Sequence, residues 1–214
     1  MTRIEEDTPV NINPAKCSYP CTDTNKDFIY PKFKGNKNNI SIIMVSEAPP
    51  VDHSNYFYEN NRGSFFITTQ IAFKDAGIHI NSYNDLTNSG VYLTTAIKCS
   101  KIDYLVSAKT IKECASKYLE QEIFGFPNVK VIMCMGDFAI KSVNYIFKSR
   151  FNIKPIRQGP TYKIRKEVHV LNNIRFIPSY TQTGDSFNIE QSKRKMIAED
   201  IKLALRLIPL SPQT

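Results

Sequence analysis

Ile40-Ser41-Ile42-Ile43-Met44-Val45, followed by Ser46-Glu47-Ala48-Pro49-Pro50, is the stretch on which the fold turns. Six positions of almost unbroken apolar character are too short for an independent helix and suit a strand buried on both faces. The Pro49-Pro50 pair stops it and leaves a tight loop at its C-terminal end. Val91-Tyr92-Leu93-Thr94-Thr95-Ala96-Ile97 repeats this pattern, and Val129 to Met135, ending at Gly136, repeats it again.

Between these runs the period changes to that of helices. Thr68 to Ala76 reads as a helix stopped by Gly77. Ser107 to Phe124 reads as a second, capped by Ser107, with Ile111, Ala115, Tyr118, Leu119 and Ile123 on one face. Asp137 is expected to cap a third through Phe147. Lys163–Val170 and Arg175–Pro178 read as strands joined at Asn172-Asn173. Glu190 to Ile208 reads as the last helix, with Ile197, Ile201, Ala204, Leu205 and Ile208 at helical spacing. Strands alternating with helices imply a three-layer αβα protein around a central parallel-rich sheet. Sites in such folds form beyond the C-terminal ends of the strands. The loops Ser46–Pro50, Thr95–Lys101 and Ser179–Phe187 therefore carry the most interest.

The chain has 214 residues, which predicts one domain over 1–214, with an irregular N-terminal segment at 1–39. No apolar run is long enough to span a membrane. The polar start, MTRIEEDTPVNINP, has no h-region, so a cytoplasmic, monomeric protein is expected. The formal net charge of +8 suits an anionic partner, nucleic acid above all.

Five cysteines in a reducing compartment are not a disulfide framework. Cys17 and Cys21 form a C-x3-C pair. Cys99 follows the second strand, and Cys114 lies in the next helix. Four such thiolates suit a [4Fe–4S] cluster and suit tetrahedral zinc as well. Cys134, mid-strand among apolar neighbours, reads as an inert buried thiol.

Several segments, in order, resemble the iron–sulfur uracil-DNA glycosylases known as family 4. Val45-Ser46-Glu47-Ala48-Pro49-Pro50 is similar to that family's strand followed by G-E-A-P-G. Gly63-Ser64-Phe65-Phe66 resembles its next segment, and Val91 to Cys99 its strand ending in T-N-v-v-K-C. Ile111 to Leu119 is similar to its cysteine-bearing helix. Pro127 to Ala139 and Pro178-Ser179-Tyr180-Thr181-Gln182-Thr183 resemble its last two motifs.

The resemblance implies a DNA glycosylase that flips out uracil or another deaminated base, from single- or double-stranded DNA, and hydrolyses its N-glycosidic bond. It implies a structural [4Fe–4S] cluster on Cys17, Cys21, Cys99 and Cys114, with zinc as the alternative. Ala48, Pro49, Phe66 and Tyr180 would contact the base, with Phe66 stacking on it. Phe187 would be a wedge, and Lys193 and Arg194 would contact phosphate.

The chemical positions depart from the pattern. Thr95 stands where the family has asparagine and Thr181 where it has histidine. Glu47, Thr95 and Thr181 are the candidates for catalysis, with His53 as a substitute acid or base. Two other readings follow from these departures: a catalytically inactive nucleic-acid-binding member of the same fold, and a small-molecule N-ribosyl hydrolase using the same pocket.

Overall fold

A computed structural model describes residues 17–59 and 61–208. The N-terminal stretch read above as non-secretory, and with it the first part of the irregular segment, lies outside the described residues.

Five strands form one sheet: β1 (Ile42–Ser46), β2 (Val91–Thr95), β3 (Val131–Met135), β4 (His169–Leu171) and β5 (Ile174–Ser179). Their order is β2-β1-β3-β5-β4, with every pair parallel except β4–β5. The β4–β5 turn is Asn172-Asn173, both at positive φ, which asparagine tolerates well. Pro178 sits in β5 beyond the stretch that β4 pairs, so its missing N–H is no loss to that ladder.

Alternation along the strands divides the core into two layers. Ile42, Met44, Val91, Leu93, Met133 and Ile177 face α1 (Ser64–Asp75), α2 (Tyr83–Asn88) and α8 (Gln191–Arg206). Ile43, Val45, Tyr92, Ile132 and Phe176 face a helix over residues 108–125, together with α5 (Asp137–Phe151) and α6 (Thr161–Ile164). The expected three-layer arrangement is thus observed. The 108–125 helix is α3 (Ala108–Cys114), a π-helical stretch (Ala115–Leu119) and α4 (Glu120–Gly125) in sequence. Ser107 caps it, accepting from the Thr110 amide.

The structure corrects several boundaries. Lys163 does not begin a strand: Thr161–Ile164 is a helical turn, and β4 starts only at His169. Asp137 is not a cap but the first residue of α5, after Gly136. Two helices were not expected. α2 starts at a reciprocal cap in which Ser82 and Asp85 each bond the other's backbone. The other is α7 (Asp185–Ile189). No helix among the described residues is long and apolar enough to cross a membrane.

Candidate active site

The C-terminal ends of β1 and β2 are bound to each other past the sheet. The Ala96 amide donates to Ser46 O (2.8 Å) and the Ile97 amide to Glu47 O (3.0 Å). The two loops singled out in the sequence therefore form one rim, and its two sides carry different groups.

On the side of α5 stands Glu47. Its Oε1 accepts from the Phe138 amide in the first turn of α5 (3.3 Å), and its Oε2 accepts from Lys101 Nζ (3.2 Å). The first turn of α5 and the Lys101 ammonium therefore hold the side chain from two sides. Gly136 makes this possible: its φ is +108°, and a Cβ on it would lie 2.7 Å from Glu47 Cγ. Lys101 Nζ also lies 4.9 Å from the Phe138 ring centroid. Ala48 and Pro49 are buried just beyond.

On the opposite side, Ser46 and Thr95 are register partners facing the α1 layer, like Met44 and Leu93 before them. Thr95 is fully buried and its Oγ1 has no hydrogen-bond partner. The Tyr56 hydroxyl, also fully buried, is unpartnered too. Burial and the charge of Glu122 push the Tyr56 phenol up, while the nearby Thr95 hydroxyl acts the other way. The two hydroxyls are thus neighbours without a hydrogen bond of normal geometry between them. Phe66 is fully buried in this layer with Phe57 and Phe65.

Gln182, which the sequence reading passed over, joins the same group. It is fully buried, and its Oε1 accepts from Ser46 Oγ at 3.1 Å. Its Nε2 has no partner. Nothing in a lone glutamine inside a polar loop signals this; the approach of the β5 end to the β1 end creates it.

The remaining candidates divide. Thr181 is half-buried, with its hydroxyl 3.2 Å from that of Thr183. Tyr180 packs against the α1 layer, with Lys193 Nζ 5.3 Å from its ring centroid. His53 is paired with another carboxylate: its Nε2 lies 3.0 Å from Asp27 Oδ2, and Asp27 in turn accepts from the amide and hydroxyl of Ser100. Phe187, read as a wedge, is 1% exposed in the layer between sheet, α1 and α8, so it does not project toward a duplex. Arg194 is paired with Asp75, and Lys193 with Glu190. A further buried pair, Lys98 and Glu122, was not anticipated. Lys98 Nζ donates to Thr95 O (2.7 Å) and to Thr94 Oγ1 (2.7 Å) as well as to Glu122.

The cysteines lie on the α3 side of β2. All five are free. Burial raises the Cys99 thiol to about 12, and the nearby Cys114, Asp27, Cys17 and Cys21 add to the rise. Burial raises Cys114 to about 11 against the opposing pull of the Lys98 amide and charge. Cys17 is a neighbour of Tyr118, whose phenol is raised by burial first and by that contact next. The four thiols are therefore mutual neighbours. As they stand, no group of three or more Cys, His, Asp or Glu among the described residues is arranged to hold a metal ion. The donor chemistry fits a thiolate-bound cluster, whereas the spacing would have to tighten around one. Cys134 is fully buried in β3 and apart from this group, and burial alone raises its thiol.

A cavity of about 640 Å³ lies between α3 and α5. Ile111, Ile140 and Ile164 form its apolar lining, and Lys112, Lys141, Lys148, Lys154 and Arg157 surround them. Lys148 is held by Asn152, and Arg157 by Glu167. Asp137, the first residue of α5, is among its lining residues.

Comparison with known proteins agrees with this architecture. The chain is 29% identical over 127 residues to a protein of Thermus thermophilus named type-5 uracil-DNA glycosylase. That match covers 59% of this chain and 55% of the relative, so the chain spans about half the length of the curated relative it matches. The motif resemblance above pointed to family 4 and this relative is named type 5, so the two do not agree on a subdivision. A family model described as the uracil DNA glycosylase superfamily matches residues 33–201, which takes in all five strands and both sides of the rim. By that match, over most of its length, the chain belongs to the uracil-DNA glycosylase superfamily.

Proposed function

We propose that this chain is a DNA glycosylase that extrudes a deaminated base, such as uracil, and hydrolyses its N-glycosidic bond. The observation that carries this reading is the pairing, across one rim, of a held carboxylate with buried polar groups that lack partners. Cleavage develops an oxocarbenium-like sugar and an anionic base. Glu47, fixed by Lys101 and the Phe138 amide, would accept a proton from water attacking C1′ and offset the positive charge on the sugar. Thr95 and Tyr56 offer hydroxyls to the leaving base, and Phe66 offers an aromatic face. The lysines lining the α3–α5 cavity suit the phosphates of the strand that carries the base.

Cys17, Cys21, Cys99 and Cys114 would hold a [4Fe–4S] cluster, with zinc as the alternative occupant. It would tie the N-terminal segment to the loop after β2, a structural role. Anaerobically purified protein should then carry about four irons per chain, the nuclearity of such a cluster. Stoichiometric zinc without iron would replace that assignment.

The activity test is release of base from oligonucleotides bearing uracil or hypoxanthine, single- and double-stranded. Abasic product that disappears in Glu47→Gln supports the reading, and no product from any of them overturns it. One observation favours a binding-only member of the fold: Thr181 rather than an imidazole occupies one candidate position, and the other candidate, His53, is paired with Asp27. Tight, salt-sensitive DNA binding without cleavage would establish that alternative.

A further inference from the structure

Buried polar groups almost always find partners, and a cluster of exceptions needs a cause. Among the described residues, Thr95 Oγ1, Tyr56 Oη and Gln182 Nε2 are such exceptions at the α1 side of the rim. All three residues are fully buried. They are also tied to one place. Thr95 is the register partner of Ser46, one strand spacing away, and Gln182 is hydrogen-bonded to the Ser46 hydroxyl. Tyr56 is the neighbour of Thr95.

The Ser46 contact orients the amide. Ser46 Oγ donates to Gln182 Oε1, the hydroxyl's one hydrogen bond among the described residues. That leaves Nε2, a group that only donates, as the atom of the amide without a partner. A hydroxyl adapts to donor or acceptor, but the amide NH₂ does not. The group therefore combines a fixed donor with two adjustable hydroxyls, with Phe66 in the same layer. A ligand that satisfies it presents a carbonyl oxygen opposite Nε2.

We propose that Gln182 is the specificity-determining residue of this site. Its Nε2 donates to a carbonyl oxygen on the pairing edge of the extruded base, and Thr95 and Tyr56 complete the recognition of that edge. This rests on the glycosylase reading and narrows it to bases that carry a keto oxygen where their parents carry an amino group. Uracil and hypoxanthine meet the amide with an acceptor. Cytosine and adenine would set an amino donor against a donor and leave both unsatisfied, which is the costly case.

The test measures binding and cleavage separately. Single-stranded oligonucleotides carry either 2′-fluoro-2′-deoxyuridine or 2′-fluoro-2′-deoxycytidine, whose glycosidic bonds resist hydrolysis, so affinity is read without turnover. Wild type should bind the uracil analogue about 10-fold more tightly than the cytosine one, the scale of a hydrogen bond made against a donor left unmade. Gln182→Leu should bring that ratio to about 1. Gln182→Glu keeps the volume and the acceptor for Ser46 but replaces the donor, so its ratio should favour cytosine, whose amino group it can accept from. Single-turnover release of uracil should fall about 100-fold in both variants, as for loss of one donor to a developing anion. If Gln182→Leu does not fold, Gln182→Glu carries the test.

A ratio unchanged by both substitutions overturns the proposal. A wild type that does not distinguish the two analogues, or prefers cytosine, overturns it too, the latter by showing the amide turned the other way. A wild type that selects uracil through Gln182 yet releases no base overturns the glycosylase reading and upholds the role of Gln182. A wild type that releases uracil with no sensitivity to Gln182 does the reverse.

Discussion

Lys98 Nζ lies 2.7 Å from Glu122 Oε2, with both side chains fully buried, and the same ammonium reaches the Thr95 carbonyl. The pair joins α4 to the end of β2. Tyr92 and Thr94 add donors to the carboxylate, so its acceptor positions are filled. Burial pulls the Lys98 ammonium below its ordinary value, and Glu122 offsets part of that effect. Removing one partner leaves the other charged and dry, which costs about 3–5 kcal/mol. Lys98→Met should therefore lower the unfolding free energy by that much in urea titration. Lys98→Met with Glu122→Leu should recover a large part of it, because an apolar pair of similar volume needs no charge compensation. A double variant no more stable than the single one would contradict this account.

Gly136→Ala tests the placement of Glu47. The residue would sit at a φ that L side chains avoid, at a cost of about 1–2 kcal/mol. Its methyl would displace the Glu47 side chain, the nearer and more yielding neighbour. Base release should then fall well beyond the modest stability loss, while binding of the uncleavable uracil analogue stays within a few-fold of wild type. Equal losses in both would show that Gly136 matters to the unpartnered polar groups and not to the carboxylate.

Asp23 ties the N-terminal segment to the start of α3. It accepts from the Ser107 amide and the Thr110 hydroxyl, each at 2.7 Å. Slight burial works against its charge, but these hydrogen bonds outweigh it and hold the carboxyl below its ordinary 3.8. A depressed carboxylate stabilises the fold above its unfolded value, and the contribution is lost as pH falls through the lower folded value. Amide exchange over residues 102–110 should therefore accelerate on acidification below about pH 4, the range in which an ordinary Asp protonates. Asp23→Asn should show the faster exchange already at neutral pH and little further change on acidification.

Lys112, Lys141 and Lys154 line the α3–α5 cavity and test the path of the strand. Changing all three to Gln should reduce the slope of log K against log salt for single-stranded DNA by about 0.7 for each phosphate that is no longer neutralised, up to about 2 in total. The uracil-to-cytosine ratio should not change, because groups that bind phosphate read no base information. An unchanged slope would remove this face from the DNA path.

The layered fold was legible in the chain because local chemistry decides it. Apolar runs at 42–46, 91–95 and 131–135 cannot be exposed, and the helical stretches between them must cover both faces. The same logic failed at residues 163–168, where a mixed polar pattern satisfies strand and helix equally and tertiary packing made a turn of helix. The Ser82–Asp85 cap at α2 was readable as S-x-x-D and was missed.

The candidate site was legible only in part. Glu47, Ala48, Phe66 and Thr95 stand out because strand ends and turn residues announce themselves by position. Gln182 and the Lys98–Glu122 pair do not, for their meaning depends on burial and on partners far away in sequence. Ser46 and Gln182 are 136 positions apart, yet their side chains meet at 3.1 Å. The sequence by itself determined which segments must be buried, and so the layers and the end of the sheet where a site can form. Only the tertiary structure decided which polar atoms are left without partners there, because hydrogen-bond satisfaction is a property of three-dimensional neighbours and not of residue order.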